Sequence, residues 1–212
     1  MGGMNERRSK SVAAGTTRLA TARERIDRAA YELFSRHGIR GVGIDAVLAR
    51  SGVAKKTLYR HYPSKNDLAL AFLRRREELW TRTWLQRRIE RPGAIPGEKL
   101  LAIFDTFDKW FRRADFEGCS FVRVLFEHGE RGDPLGDATL RHLDTIRSLV
   151  TQVVEEANVR DADGLARQWQ MLMMRSIVAA YAGDPDAATR AKKIGRVLLA
   201  SNGIALGNGP RA

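Results

Sequence analysis

Between Ser51 and Leu68 the chain reads SGVAKKTLYRHYPSKNDL, which crowds Lys55, Lys56, Arg60 and Lys65 with Thr57, Tyr59, His61 and Tyr62 around one glycine and one proline. Cations, hydroxyls and aromatic rings with polar tips are the groups that grip a polyanion: the cations neutralise phosphates, and the hydroxyls and rings reach sugar and phosphate oxygens. The charge of the whole chain agrees. It carries 37 Lys and Arg against 25 Asp and Glu, a formal net charge of +12. Most of that excess lies in the first third: residues 1–65 hold 14 basic against 5 acidic side chains, the remainder 23 against 20. Charge alone does not separate a nucleic acid from an anionic membrane surface.

These residues need elements to position them. Ile26, Ala29, Ala30, Leu33, Phe34 and His37 recur at three- and four-residue steps and predict a helix from about Thr17 that Gly38 ends. A short helix from Ile44 to Arg50 follows, then a Ser51-Gly52-Val53 turn, then a helix from Lys55 to His61 that Pro63 stops. Two helices joined by a tight glycine turn make a helix-turn-helix, whose second helix enters the DNA major groove with its first residues on base edges. Val53 and Leu58 then face inward, leaving Lys55, Lys56, Tyr59 and Arg60 outward, with Lys65 at the start of the next helix. There its charge adds to amides already aimed at an anion.

The stretch Thr57-Leu58-Tyr59-Arg60-His61-Tyr62-Pro63-Ser64-Lys65-Asn66-Asp67-Leu68 resembles the signature of the TetR family of bacterial repressors, and Val47 to Val53 with Ala30, Leu33, Phe34 and Gly38 fits the preceding helices. The resemblance covers roughly residues 22 to 72. It implies an all-α, homodimeric regulator that binds palindromic double-stranded DNA and is released by a small-molecule effector. By position it implies DNA contacts from Lys55, Lys56, Thr57, Tyr59, His61 and Lys65, with Arg60 beside them. Three positions depart from the family pattern: Gly43 replaces a capping Thr that touches phosphate, Ala54 replaces a common Ser, and Lys56 replaces a small residue.

The rest of the chain reads as helices: Lys65 to about Arg88, a Pro92–Gly97 hinge, Leu100–Phe111, Cys119–His128, Leu140–Ala157, Asp163–Ala182 and a last helix, capped by Asp186, to about Ser201. The expected division is a polar arm over 1–16, a helix-turn-helix domain over 17–64, and a ligand-sensing and dimerisation domain over 65–205. Dimerisation is expected through the last two helices, with Trp169, Leu172, Met173, Ile177, Ala180, Val197 and Leu198 as candidate contacts. Trp84, Phe104, Phe107, Trp110, Phe111, Phe121, His128 and Trp169 are candidates to line an apolar effector pocket, with Arg123, Glu127 and His142 as further polar groups.

Other chemistries lack their residue patterns. There is no phosphate-cradling glycine loop, no nucleophile constellation and no tight His or Cys spacing for a metal, so neither an enzyme nor a cofactor is expected. One cysteine, Cys119, excludes an internal disulfide framework and reads as a small buried hydrophobe. With no membrane-length apolar run and a polar N-terminus, a cytoplasmic protein is expected. A nonspecific architectural DNA binder and a ligand-binding protein that has lost its DNA function are the competing readings.

Overall fold

The computed structural model describes residues 20–128, 130 and 132–207. Residues 1–19, which include the arm expected over 1–16, lie outside the described residues. Every regular element described is helical: α1 Ala22–His37, α2 Ile44–Ser51, α3 Lys55–His61, α4 Lys65–Glu77, a π-helical turn Glu78–Leu85, α5 Gln86–Ile89, α6 Pro96–Phe111, α7 Ser120–Glu127, α8 Pro134–Glu155, α9 Ala162–Tyr181 and α10 Ala187–Ser201.

Local chemistry sets most of the boundaries. Thr21 and Glu24 close a capping box on α1, and Ser64 and Asp67 close another on α4. The α2–α3 turn depends on Gly52, whose φ of 62° and ψ of 28° place it in the left-handed region while its N–H bonds the Leu48 carbonyl. Pro134 opens α8 behind Asp133, whose carboxylate accepts the Leu135 and Gly136 amides. Asp186 stands at the N-cap of α10 but makes no side-chain cap bond. The carboxylate in use there is Asp184, which accepts the Asp186 N–H and pairs with Arg190.

The predicted helix from Lys65 to Arg88 is continuous but not uniform. Across Glu78–Leu85 the ladder slips to five-residue spacing: the Gln86 N–H bonds the Thr81 carbonyl, and the Thr83 hydroxyl donates to the Glu78 carbonyl. Such π turns widen a helix locally and re-aim its side chains.

Two apolar clusters organise the packing. The first joins Ile26, Phe34, Val47, Leu58 and Tyr62 of the first three helices to Leu68 and Phe72 of α4, and takes in Phe121, Val124 and Leu135. The second is built from α5, α6, α8, α9 and α10 around Phe104 and Trp169, and Cys119 packs against both. Trp169, Met173 and Ile177 belong to this interior and are buried by the chain's own helices, so they do not face a partner. Leu172 and Leu198 also pack partly against the core. The apolar residues left outside on α9 and α10 are Met171, Val178, Tyr181, Ile194 and Val197, with Met171 and Val197 each 70% exposed.

Candidate functional site

α3 presents a face of open cations. Leu58 is fully buried and Tyr62 nearly so, while Lys55, Lys56, Tyr59 and Arg60 are exposed and Thr57, His61 and Lys65 half-exposed. None of Lys55, Lys56, Arg60 or Lys65 has an ion pair among the described residues. Nearby arginines are instead neutralised: Arg50 forks onto Glu32 at 2.7 Å, Arg36 reaches Glu117 at 3.5 Å, and Arg75 reaches Glu78 at 3.6 Å. A cluster of uncompensated positive charge on one short helix is repulsive within the protein and favours an external polyanion.

Tyr62 fixes this face in place. Its hydroxyl donates to the Asp27 carboxylate of α1, and Arg23 lies over its ring at 5.9 Å. Burial, followed by that hydrogen bond, pushes the Tyr62 phenol up from its ordinary value. Arg25 of α1 also borders the α2–α3 turn, its Nη1 3.9 Å from where a Cβ on Gly52 would stand. Sequence reading passed over this arginine because on its own helix it is one exposed cation among several. The capping box at Ser64 uses the amides of Ser64 and Asp67. The amides of Lys65 and Asn66, beside the Lys65 ammonium, are left without helical acceptors.

Gly43 and Ala54 stand at the N-caps of α2 and α3 with extended backbone and no side-chain cap bond. A Cβ on Gly43 meets nothing within 4 Å. Ala54→Ser is therefore expected to raise stability by about 0.5–1 kcal/mol, and Gly43→Thr by a few tenths, read as shifts in urea midpoint at unchanged slope.

The second site is a cavity of about 80 Å³ inside the larger domain. Arg76 of α4, Trp80, Thr81, Trp84 and Leu85 of the π turn, and Phe107 and Trp110 of α6 form one side. Cys119 to Val122 at the start of α7, His142 and Ile146 of α8, and Gln170, Met173 and Ile177 of α9 form the other. The π turn brings four of its eight residues to this wall. Trp80 packs on Trp110 at 4.3 Å and on Trp84 at 5.3 Å, and Trp84 lies parallel to Phe107 at 6.1 Å.

Of the eight residues expected at a pocket, Trp84, Phe107, Trp110 and Phe121 line this cavity. Phe104 and Trp169 do not: they are interior core, 1% and 0% exposed. Phe111 packs beside Phe107, Trp110 and Phe116, outside the wall. His128 bonds Asp133 through Nδ1 at 2.9 Å, at the far end of α7. Phe126, on the same helix as Phe121, is 84% exposed. Arg76, the last of three consecutive arginines in the sequence, is buried. Arg76, Trp80 and Trp84 follow one another at four-residue steps, as do Thr81 and Leu85, so the continuous helix carries them to the wall on one face.

His142 is 3% exposed and stacks on Phe121 with 3.5 Å between ring centroids. Burial lowers its pKa from 6.5 to about 4. The Glu77 carboxylate, 4.0 Å from Nδ1, is too distant for a hydrogen bond, and Nδ1 is buried without a partner. The imidazole is therefore neutral near pH 7. Because the unfolded chain binds this proton more readily, stability is full above about pH 6.5 and falls as pH drops toward 4. Going from about pH 7.5 to about pH 5 is expected to cost about 2 kcal/mol through this group. Urea titrations at both pH values should show that drop in the native chain and its loss in His142→Phe.

α7 ties the two sites together. Its first turn borders the cavity, while Arg123 donates to the Ser35 and Arg36 carbonyls at the end of α1, both at 3.4 Å. Glu127 accepts the Arg40 amide at 3.4 Å. Arg123 and Glu127 thus face the end of α1 rather than the cavity. Cys119 borders the cavity, and burial pushes its thiol pKa up. Among the described residues no three His, Cys, Asp or Glu side chains converge as a metal site, and no helix is long and apolar enough to cross a membrane.

A helix-turn-helix with an open cationic second helix, followed by an all-helical domain that carries an apolar cavity, is the architecture of a DNA-binding transcriptional regulator. Residues 26–72 match the family of bacterial regulatory proteins, tetR family. The whole fold is similar to a TetR-family transcriptional regulator from Streptomyces coelicolor, with a TM-score of 0.80 and 26% identity over 85% of this chain and 89% of that one. It is also similar to a TetR transcriptional regulator from Chloroflexus aurantiacus, with a TM-score of 0.75 and 23% identity over 85% and 95% of the two chains. The HTH-type transcriptional activator FasR of Mycolicibacterium smegmatis is 38% identical over 76 residues, 33% of this chain and 35% of its own length. The curated relatives are matched over only 26–35% of their lengths. Residues 26–72 thus carry the DNA-binding domain of the TetR family of bacterial transcriptional regulators, and the fold beyond them is similar to that of TetR-family regulators.

Proposed function

We propose that this chain is a ligand-responsive transcriptional repressor that binds a palindromic operator as a cytoplasmic homodimer and is released by a small, largely apolar effector. The observation that carries the reading is the pairing of the unneutralised cations on α3 with an apolar cavity whose bordering helix α7 holds the end of α1. Two copies related by a twofold axis present two α3 helices, which must lie about 34–36 Å apart to enter successive major grooves. Met171, Val178, Tyr181, Ile194 and Val197 form the exposed apolar face of α9 and α10 that supports pairing there.

Effector binding shifts the population toward dimers whose α3 helices no longer fit that spacing. Two routes support the coupling: α4 runs from the operator-facing Lys65 to the cavity-lining Arg76, and α7 holds the end of α1 through Arg123. Arg123→Ala is expected to leave operator binding and effector binding within about threefold of native while reducing the effector's influence on the operator. A drop in coupling of about 1–2 kcal/mol would appear as a smaller ratio of operator affinities with and without effector.

Selection of sites from random DNA by the purified dimer, followed by affinity titrations over a range of salt, tests the reading. Enrichment of a palindrome bound about a thousandfold or more tighter than random sequence is expected. Binding without an enriched motif, collapsing as salt rises, would point to an architectural DNA binder. No binding at any salt would leave a ligand-binding protein that has lost its DNA function.

A further inference from the structure

We infer that the cavity takes a compact aromatic monocarboxylate, with its ring among the tryptophans and its carboxylate on Arg76. The inference rests on the reading of this cavity as the effector site and names the effector's chemical class.

Arg76 is 9% exposed, yet its one hydrogen bond goes to the Tyr31 hydroxyl at 3.0 Å. Its guanidinium lies 5.4 Å over the Tyr31 ring and 5.7 Å over the Trp80 ring, and no carboxylate comes within ion-pairing distance among the described residues. The nearby acids pair elsewhere, Glu77 with Arg82 at 3.6 Å and Asp115 with Arg113 at 2.7 Å, and Asp115 feels the Arg76 charge only beyond ion-pairing distance. Cation–π contact compensates part of the charge, but a guanidinium has five N–H donors in a planar fork that matches a carboxylate. The unpaired arginines on the surface are solvated by water, whereas a buried one with no carboxylate in ion-pairing distance marks a place for an external anion.

The rest of the wall narrows the class. Arg76 is its one cation among the described residues, so a single negative charge is matched and a phosphate dianion is not. On the other side His142 is buried and neutral and adds no second charge. Trp80, Trp84, Phe107 and Phe121 supply flat aromatic surface. A cavity of about 80 Å³ suits a compact ligand built on one six-membered ring.

The test uses benzoate as probe and benzamide as its neutral counterpart of nearly the same shape, titrated into the full-length protein with calorimetry and tryptophan fluorescence. Benzoate is expected to bind at least about tenfold tighter than benzamide. Arg76→Met should remove that preference while leaving benzamide affinity unchanged, and Arg76→Lys, which keeps the charge without the fork, should fall between. Circular dichroism verifies that both variants are folded, and the probe comparison in the native chain stands without them. Benzamide binding as tightly as benzoate, or benzoate binding untouched in folded Arg76→Met, overturns the carboxylate assignment while leaving a neutral-effector cavity standing. Binding of neither probe at millimolar concentration overturns both.

Discussion

Lys55→Ala is expected to weaken binding to the selected operator by about 5- to 150-fold, the 1–3 kcal/mol carried by one side-chain contact to a base edge. Lys55 stands in the first turn of α3, exposed and without an ion pair among the described residues, so its removal leaves no buried charge behind and leaves the fold unaffected. The loss should be concentrated at one operator position, with substituted operators there becoming nearly equivalent. Lys65→Ala gives a contrasting pattern. Lys65 opens α4 beside free amides, a setting for phosphate, so its loss should weaken all sequences alike and lower the salt slope by about 0.9. Fluorescence anisotropy with the operator, a single-position variant and random DNA at four salt concentrations separates the two behaviours. A Lys55→Ala protein that weakens on every sequence equally would show that α3 grips phosphate and reads no base there.

The second large effect concerns stability. Trp169→Ala is expected to cost about 3–5 kcal/mol, because the indole is fully buried, packs on Phe104 at 5.3 Å and is closed over by α10 at Gly195. Gly195 has no Cβ for a reason of space: one placed there would stand 2.8 Å from Trp169 Cη2, so the void left by alanine lies between two tightly packed helices that have little room to collapse. Trp169→Phe should behave quite differently. The Trp169 Nε1 is buried without a hydrogen-bond partner, and phenylalanine removes that uncompensated N–H while keeping a ring against Phe104. A loss of under about 1.5 kcal/mol is expected for Trp169→Phe. Urea denaturation of both variants gives the comparison, and equal losses would refute the assignment of a buried N–H penalty.

Much of the candidate DNA face was legible because it is written locally. A glycine turn, a proline stop, buried Leu58 and Val53, and outward Lys55, Lys56, Tyr59 and Arg60 follow from residue order within some fifteen positions, and the bounds of α3 agree with that reading. The cavity was legible only in part. Helical spacing identifies Trp84, Phe107, Trp110 and Phe121 as apolar but cannot distinguish them from Phe104 and Trp169, since an interior wall and an interior core demand the same hydrophobicity. Arg76 was hidden for the opposite reason. Beside Arg74 and Arg75 it reads as one more solvated cation, and only the approach of Tyr31 from α1 and Trp80 from the π turn buries it.

By itself, then, the sequence determined the helical class, the helix-turn-helix and the charge asymmetry, because caps, turns and 3.6-residue periodicity act between residues close in the chain. The tertiary structure decided which aromatic rings face a void, which arginine lost its solvent, and that α7 bridges the cavity to α1. Those outcomes depend on contacts such as that of Arg123 with Ser35 and Arg36, and of Phe121 with His142, between residues distant in sequence whose meeting is set by how whole helices pack.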